Sequence, residues 1–115
     1  MRGKNQLKFL LPTLRERERY IAFKIISEEP VVYEDIEQAI WNVALDFFGE
    51  HGVSKMSMYV IKSLYDIERQ IGVVRCNNKS VSQVISCLGL ISRLGDTRVI
   101  FKILKVSGTI KGLKL

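Results

Sequence analysis

The strongest constraint on this chain is the order in which two hydrophobic periodicities replace one another within 115 residues. Residues 20–26 are rich in β-branched and aromatic side chains and stop at Glu28-Glu29-Pro30, which predicts a strand with Ile21, Phe23 and Ile25 on one face. Residues 34–48 carry Ile36, Ala39, Ile40, Val43 and Phe47 at helical spacing. Glu34, Asp35 and Glu37 fall in the first turn, where carboxylates suit the positive end of the helix dipole. Gly49 and Gly52 mark the expected exit, with His51 in a surface loop between them. Residues 58–65 alternate Met58, Val60 and Leu64 against Tyr59, Ile61 and Tyr65, a second strand. Residues 66–70 form a charged turn, and residues 71–76 complete a hairpin as the third strand. Ser80 and Gln83 have capping-box spacing and open a second helix with the stripe Val81, Val84, Ile85, Leu88 and Ile91, ended by Gly95. Residues 98–106 form a fourth strand before a short basic tail. Residues 1–15, interrupted by Pro12, read as a flexible basic arm.

This βαββαβ order predicts an α+β ferredoxin-like sandwich: a four-stranded antiparallel sheet with both helices on one face, in a single domain over residues 1–115. Right-handed crossovers place the strands in the order fourth, first, third, second. The start of the first strand then lies near the end of the fourth.

That adjacency matters because the net charge of +6 is unevenly spread. Residues 28–54 hold seven acidic side chains and no Lys or Arg, between basic blocks of +5 (residues 1–27) and +7 (residues 71–115). The fold is expected to merge Arg2, Lys4, Lys8, Arg15, Arg17 and Arg19 with Lys102, Lys105, Lys111 and Lys114 into one patch facing a polyanion, most simply RNA. The acidic helix falls on the other side. A recognition motif that stacks bases on strand aromatics is not expected, because the third strand offers Val73, Val74, Arg75 and Cys76 with no Phe or Tyr. Phosphate and shape recognition of a structured RNA fits better.

Other classes are excluded by composition. A hydrophobic fraction of 47% is that of a folded chain, and no apolar run approaches the roughly 20 residues of a membrane span. Residues 9–11 are too short a run for a signal-peptide core, so a cytoplasmic protein is expected. Cys76, Cys87 and the single His51 do not make a disulfide framework or a metal set, so no metal ligands are expected.

Several segments resemble the archaeal ribonuclease P protein component 2 family. They are Arg19-Tyr20-Ile21-Ala22-Phe23 with Ile26-Ser27-Glu28, the Tyr65-Asp66 turn, Gly72-Val73-Val74-Arg75-Cys76-Asn77, and Val106-Ser107-Gly108-Thr109-Ile110-Lys111. They follow the family's order and spacing over nearly the whole chain. The resemblance implies a protein subunit of the ribonucleoprotein that removes the 5′ leader from precursor tRNA. In that family the catalyst is the RNA, which uses magnesium; the chain itself is expected to bind no cofactor and to hold no catalytic residues. The partners implied are ribonuclease P RNA, protein component 3, a second copy of this chain through self-association in an assembly with two copies of each, and precursor tRNA indirectly.

The candidate RNA contacts are Lys4, Lys8, Arg15, Arg17, Arg19, Arg75, Lys79, Lys102, Lys105, Lys111 and Lys114. Ser107, Gly108 and Thr109 join them if their backbone amides face a phosphate; otherwise Gly108 serves only the backbone angles of a strand exit. Tyr59 and Tyr65 face the open sheet or a partner, or pack half-buried. Trp41, Leu45 and Phe48 form a second stripe on the first helix, either a wide core face or a docking site for a protein partner. The carboxylates Asp66, Glu68, Glu28 and Glu29 form no recognisable catalytic set. An acylphosphatase-like enzyme needs an anion cradle after the first strand, where this chain has two glutamates. The alternative to an RNA binder is a ferredoxin-like protein–protein adaptor, whose binding would respond little to salt.

Overall fold

The computed structural model describes residues 17–115. Strand β1 (Glu18–Ser27) leads into helix α1 (Tyr33–Met56), then β2 (Tyr59–Val60), β3 (Ile71–Asn77), α2 (Val81–Leu90), β4 (Arg93–Leu94) and β5 (Thr97–Ser107). Single 3₁₀ turns occupy Lys62–Leu64 and Lys111–Leu113. The sheet runs β2-β3-β1-β5-β4 with every neighbour antiparallel. The α+β class and the expected strand order hold, with β5 as the expected fourth strand. The sheet has five strands rather than four, because a short β4 pairs with the start of β5.

Alternation in β1 explains the layering. Ile21, Phe23 and Ile25 point into the core with Ile36, Ile40 and Ala44 of α1 and Val84, Cys87 and Leu88 of α2. Phe23 meets Phe101 of β5 at 5.3 Å between ring centroids, a tilted pair that adds to its burial. Phe23 also lies opposite Gly72, where a Cβ would sit 2.7 Å from its ring; only glycine leaves room for it.

The far side of the sheet is not open throughout. Ala22 and Val73 are fully buried there beneath Leu113 of the last 3₁₀ turn, with Tyr20, Ile61 and Leu64 around them. The C-terminal segment thus covers the middle of the face.

Four local expectations change. Helix α1 does not exit at Gly49: that residue takes φ 69°, ψ 172°, and the chain resumes as helix to Met56. His51 therefore lies in helix rather than in a loop. Burial of Val53 and Met56 in the core sustains this second segment. The second strand spans only Tyr59–Val60, since the chain turns at Lys62–Leu64 and the Tyr65 hydroxyl donates to the Val31 carbonyl at 2.5 Å. Ser80 makes no side-chain cap bond, so the capping box is not formed. Helix α2 ends at Leu90, and Gly95, at φ 64°, instead forms the two-residue β4–β5 turn between Leu94 and Thr97.

Candidate nucleic-acid interface

The register across the sheet decides which candidate residues meet. Tyr59 of β2 lies opposite Arg75 of β3, Arg75 opposite Tyr20 of β1, and Tyr20 opposite Ser107 of β5. Directly opposed residues share a face, so these four form one row on the side away from the helices. The Arg75 guanidinium lies over the Tyr59 ring, 5.2 Å from its centroid. Its Nε is 3.9 Å from Glu18 Oε1, and the Tyr20 hydroxyl donates to Glu18 Oε2 at 3.3 Å.

Beyond this row stands a cluster of cations. The Asn78 N–H donates to the Arg17 carbonyl at 2.8 Å, which brings Arg17 beside Lys79 at the end of β3. A Cβ on Gly108 would sit 3.5 Å from Arg19 Nη1, so the Arg19 guanidinium flanks the turn after β5. Lys111 and Lys114, both exposed, belong to the segment that carries Leu113 onto the sheet. Lys105 lies opposite Ala22, in the next row inward. Arg75 and Lys105 lie on this face, with Arg17, Lys79 and Lys111 at the same end of the sheet; Arg19, opposite the buried Cys76, turns to the helical side, and Lys114 lies further along the C-terminal segment. The acidic first turn of α1 belongs to the helical layer.

Lys102 does not join them. It lies opposite Lys24, five residues back from Ser107 along β5, or roughly 17 Å at the rise of an extended strand. Among the described residues neither lysine has an ion-pair partner, so two like charges face each other uncompensated, an arrangement that costs stability unless an anion intervenes. Ile26 and Ile100, 50% and 63% exposed, extend the same half. Sequence reasoning missed Lys24; the alternation of residues 20–26 put it on the face away from the core and was the available signal. Lys4, Lys8 and Arg15 lie outside the described residues.

The turn Ser107-Gly108-Thr109 differs from expectation in its amides. The Thr109 N–H donates to Ser107 Oγ at 3.2 Å, and the Gly112 N–H to Thr109 Oγ1 at 3.0 Å. The Thr109 amide is thus committed within the turn, and what Ser107 and Thr109 present is hydroxyl groups. Gly108 has no positive φ, so backbone angles do not require glycine there.

On the helical side, Trp41 and Phe48 are half-buried and pack against the core, while Leu45 is exposed. The three do not form a separate exposed stripe; Phe47, assigned to the core stripe, is 63% exposed instead. Tyr33 donates to the Glu37 carboxylate at 2.9 Å; burial first and that carboxylate second hold its pKa far above the ordinary range. Burial raises the Cys76 thiol to about 11 and moves Cys87 in the same direction, so neither is a thiolate near neutrality. Among the described residues no three His, Cys, Asp or Glu side chains are placed to share a metal ion, and no helix is long and apolar enough to cross a membrane.

Comparison with known proteins gives the family. A family model described as the Rpp14/Pop5 family matches residues 19–115. Ribonuclease P protein component 2 of Pyrococcus furiosus is 46% identical over 107 residues, covering 93% of this chain and 88% of the relative. The protein of that name from Methanosarcina mazei is 33% identical, covering 91% of this chain and 87% of its own. Among solved structures, a chain of yeast ribonuclease MRP superposes with a TM-score of 0.62 at 13% identity, covering 83% of this chain and 76% of that one; it shares the fold. On the match over residues 19–115 and the identity to these archaeal relatives, the chain belongs to the Rpp14/Pop5 family.

Proposed function

We infer that the chain is a protein subunit of ribonuclease P, part of the ribonucleoprotein that removes the 5′ leader from precursor tRNA. The observation that carries this reading is the likeness to component 2 proteins over more than nine-tenths of the chain. The geometry supports it: cations gathered at one end of the sheet, and the unpartnered Lys24–Lys102 pair, suit the phosphates of a folded RNA. Catalysis belongs to the RNA and its magnesium; this chain would place and neutralise phosphates, holding no cofactor of its own. Component 3 is its protein partner, in an assembly of two copies of each, and the cytoplasm its compartment.

Reconstitution of precursor-tRNA cleavage from a cognate ribonuclease P RNA, component 3 and this protein at limiting magnesium tests the reading. Cleavage should need both proteins, and Arg75→Glu or Lys111→Glu should raise the magnesium requirement. A folded protein that changes neither rate nor magnesium requirement refutes it.

A further inference from the structure

The row Tyr59–Arg75–Tyr20–Ser107 contains chemistry that phosphate binding does not use. Tyr59 remains 51% exposed even with the Arg75 guanidinium lying over its ring. Here it is paired with a planar cation, and Glu18, engaging both Arg75 and Tyr20, fixes that cation from the other side. Every nucleobase has a π face, and aromatic rings and arginine planes are the two protein surfaces that stack on it.

We propose that Tyr59 and Arg75 form a stacking platform for an unpaired nucleobase of RNA, with the neighbouring cations holding the strand on either side of it. The proposal rests on the ribonuclease P reading and narrows it to single-stranded RNA at this row. Charge supports that occupant over an apolar protein segment. Arg17 and Lys79 stand at the start of β1 and the end of β3, Lys105 stands in the next row, and Lys111 belongs to the segment after Ser107. The strand need not be read by sequence, because stacking tolerates any base. The third strand's lack of aromatics does not exclude stacking, since β2 supplies the ring and β3 the guanidinium.

The test uses the full chain and a 12-nucleotide oligouridylate carrying one 2-aminopurine, whose fluorescence is quenched when the base stacks. Wild type should quench it. Tyr59→Ala should weaken binding about tenfold or more and abolish quenching, as loss of one base–aromatic stack does. Tyr59→Phe should bind like wild type, and Arg75→Lys, which keeps charge but not the plane, should lose quenching. The salt slope of Tyr59→Ala should match wild type, because no phosphate contact is removed. Circular dichroism melting checks that each variant folds. Equal binding and quenching by wild type and Tyr59→Ala overturns the platform, as does a Tyr59→Ala defect confined to association with component 3. If the platform fails in this way while Lys111→Glu still impairs reconstituted cleavage, the subunit reading stands. If the chain is dispensable for cleavage as well, both fail.

Discussion

Asn77 joins two layers of the molecule with one side chain. It is 4% exposed, and its Nδ2 donates at 2.6 Å to the carbonyl of Lys55. That carbonyl belongs to the last turn of α1, where helical carbonyls have no partner within their own helix. Asn77→Ala should therefore cost about 1–3 kcal/mol by stranding a desolvated acceptor. Asn77→Asp should cost at least as much, since it replaces a donor with a negative charge at the negative end of the helix. Urea denaturation reads both, and an unchanged midpoint for Asn77→Ala would sink the account. Arg75, Cys76 and Asn77 are consecutive, yet they serve the open face, the core and the helix end in turn. The sequence displayed these residue types together; it did not display their three destinations, which follow only from strand pairing. Gln70 was likewise read as part of a charged turn. Its amide donates to the Ile25 carbonyl at 2.8 Å and accepts from the Val31 N–H at 3.1 Å, closing the loop before α1.

The break at Gly49 shows what a helix can tolerate when its second segment is buried. Its φ 69°, ψ 172° falls where only glycine is comfortable, and a Cβ there would meet nothing within 4 Å. Gly49→Ala should thus cost about 1–3 kcal/mol through the backbone alone. Gly89, inside α2 with equally free space around it, provides the contrast: Gly89→Ala should stabilise by about 0.5–1 kcal/mol. Urea midpoints that move in the same direction for both would refute this reading. The α2 stripe, the alternation of β1 and the α1 stripe as far as Val43 were legible because each element buries one face; Phe47, placed in that stripe, is exposed instead. The boundaries were not. Residues 49–56, with two glycines, look like an exit by propensity, and burial of Val53 and Met56 overrides it. The β4–β5 hairpin was hidden because Gly95, with glycine at the first position of a two-residue turn, was also a plausible helix stop.

The merging of distant basic blocks was legible from topology, but its extent was set by register. Counting rows from Ser107 separates Lys102 from the main cluster and adds Lys24, which no charge tally would reveal. The polarity of the whole particle makes a thermodynamic prediction. Affinity for ribonuclease P RNA should fall with log salt at a slope of about 0.7 to 0.9 per phosphate neutralised. Arg75→Glu should flatten that slope by about one phosphate or more. Glu34→Gln, which only removes an exposed pairing with Lys62 at 3.4 Å on the helical side, should leave it unchanged. A slope near zero in the wild type would favour the adaptor alternative.

Beyond Val99, the outer side of β5 has no strand against it among the described residues, because β4 pairs only with Thr97 and Arg98. A bare edge of this length, carrying Ile100, Leu104 and Val106 in exposed positions, is a template on which another chain's backbone can add. Two features oppose that polymerisation: the register shift in the β1–β5 ladder, and Lys102 and Lys105 at intervals along the strand. The positive charge that suits this protein to a polyanion also burdens that edge with repulsion, so neutralising those two lysines should promote edge-to-edge pairing of β5 with another chain.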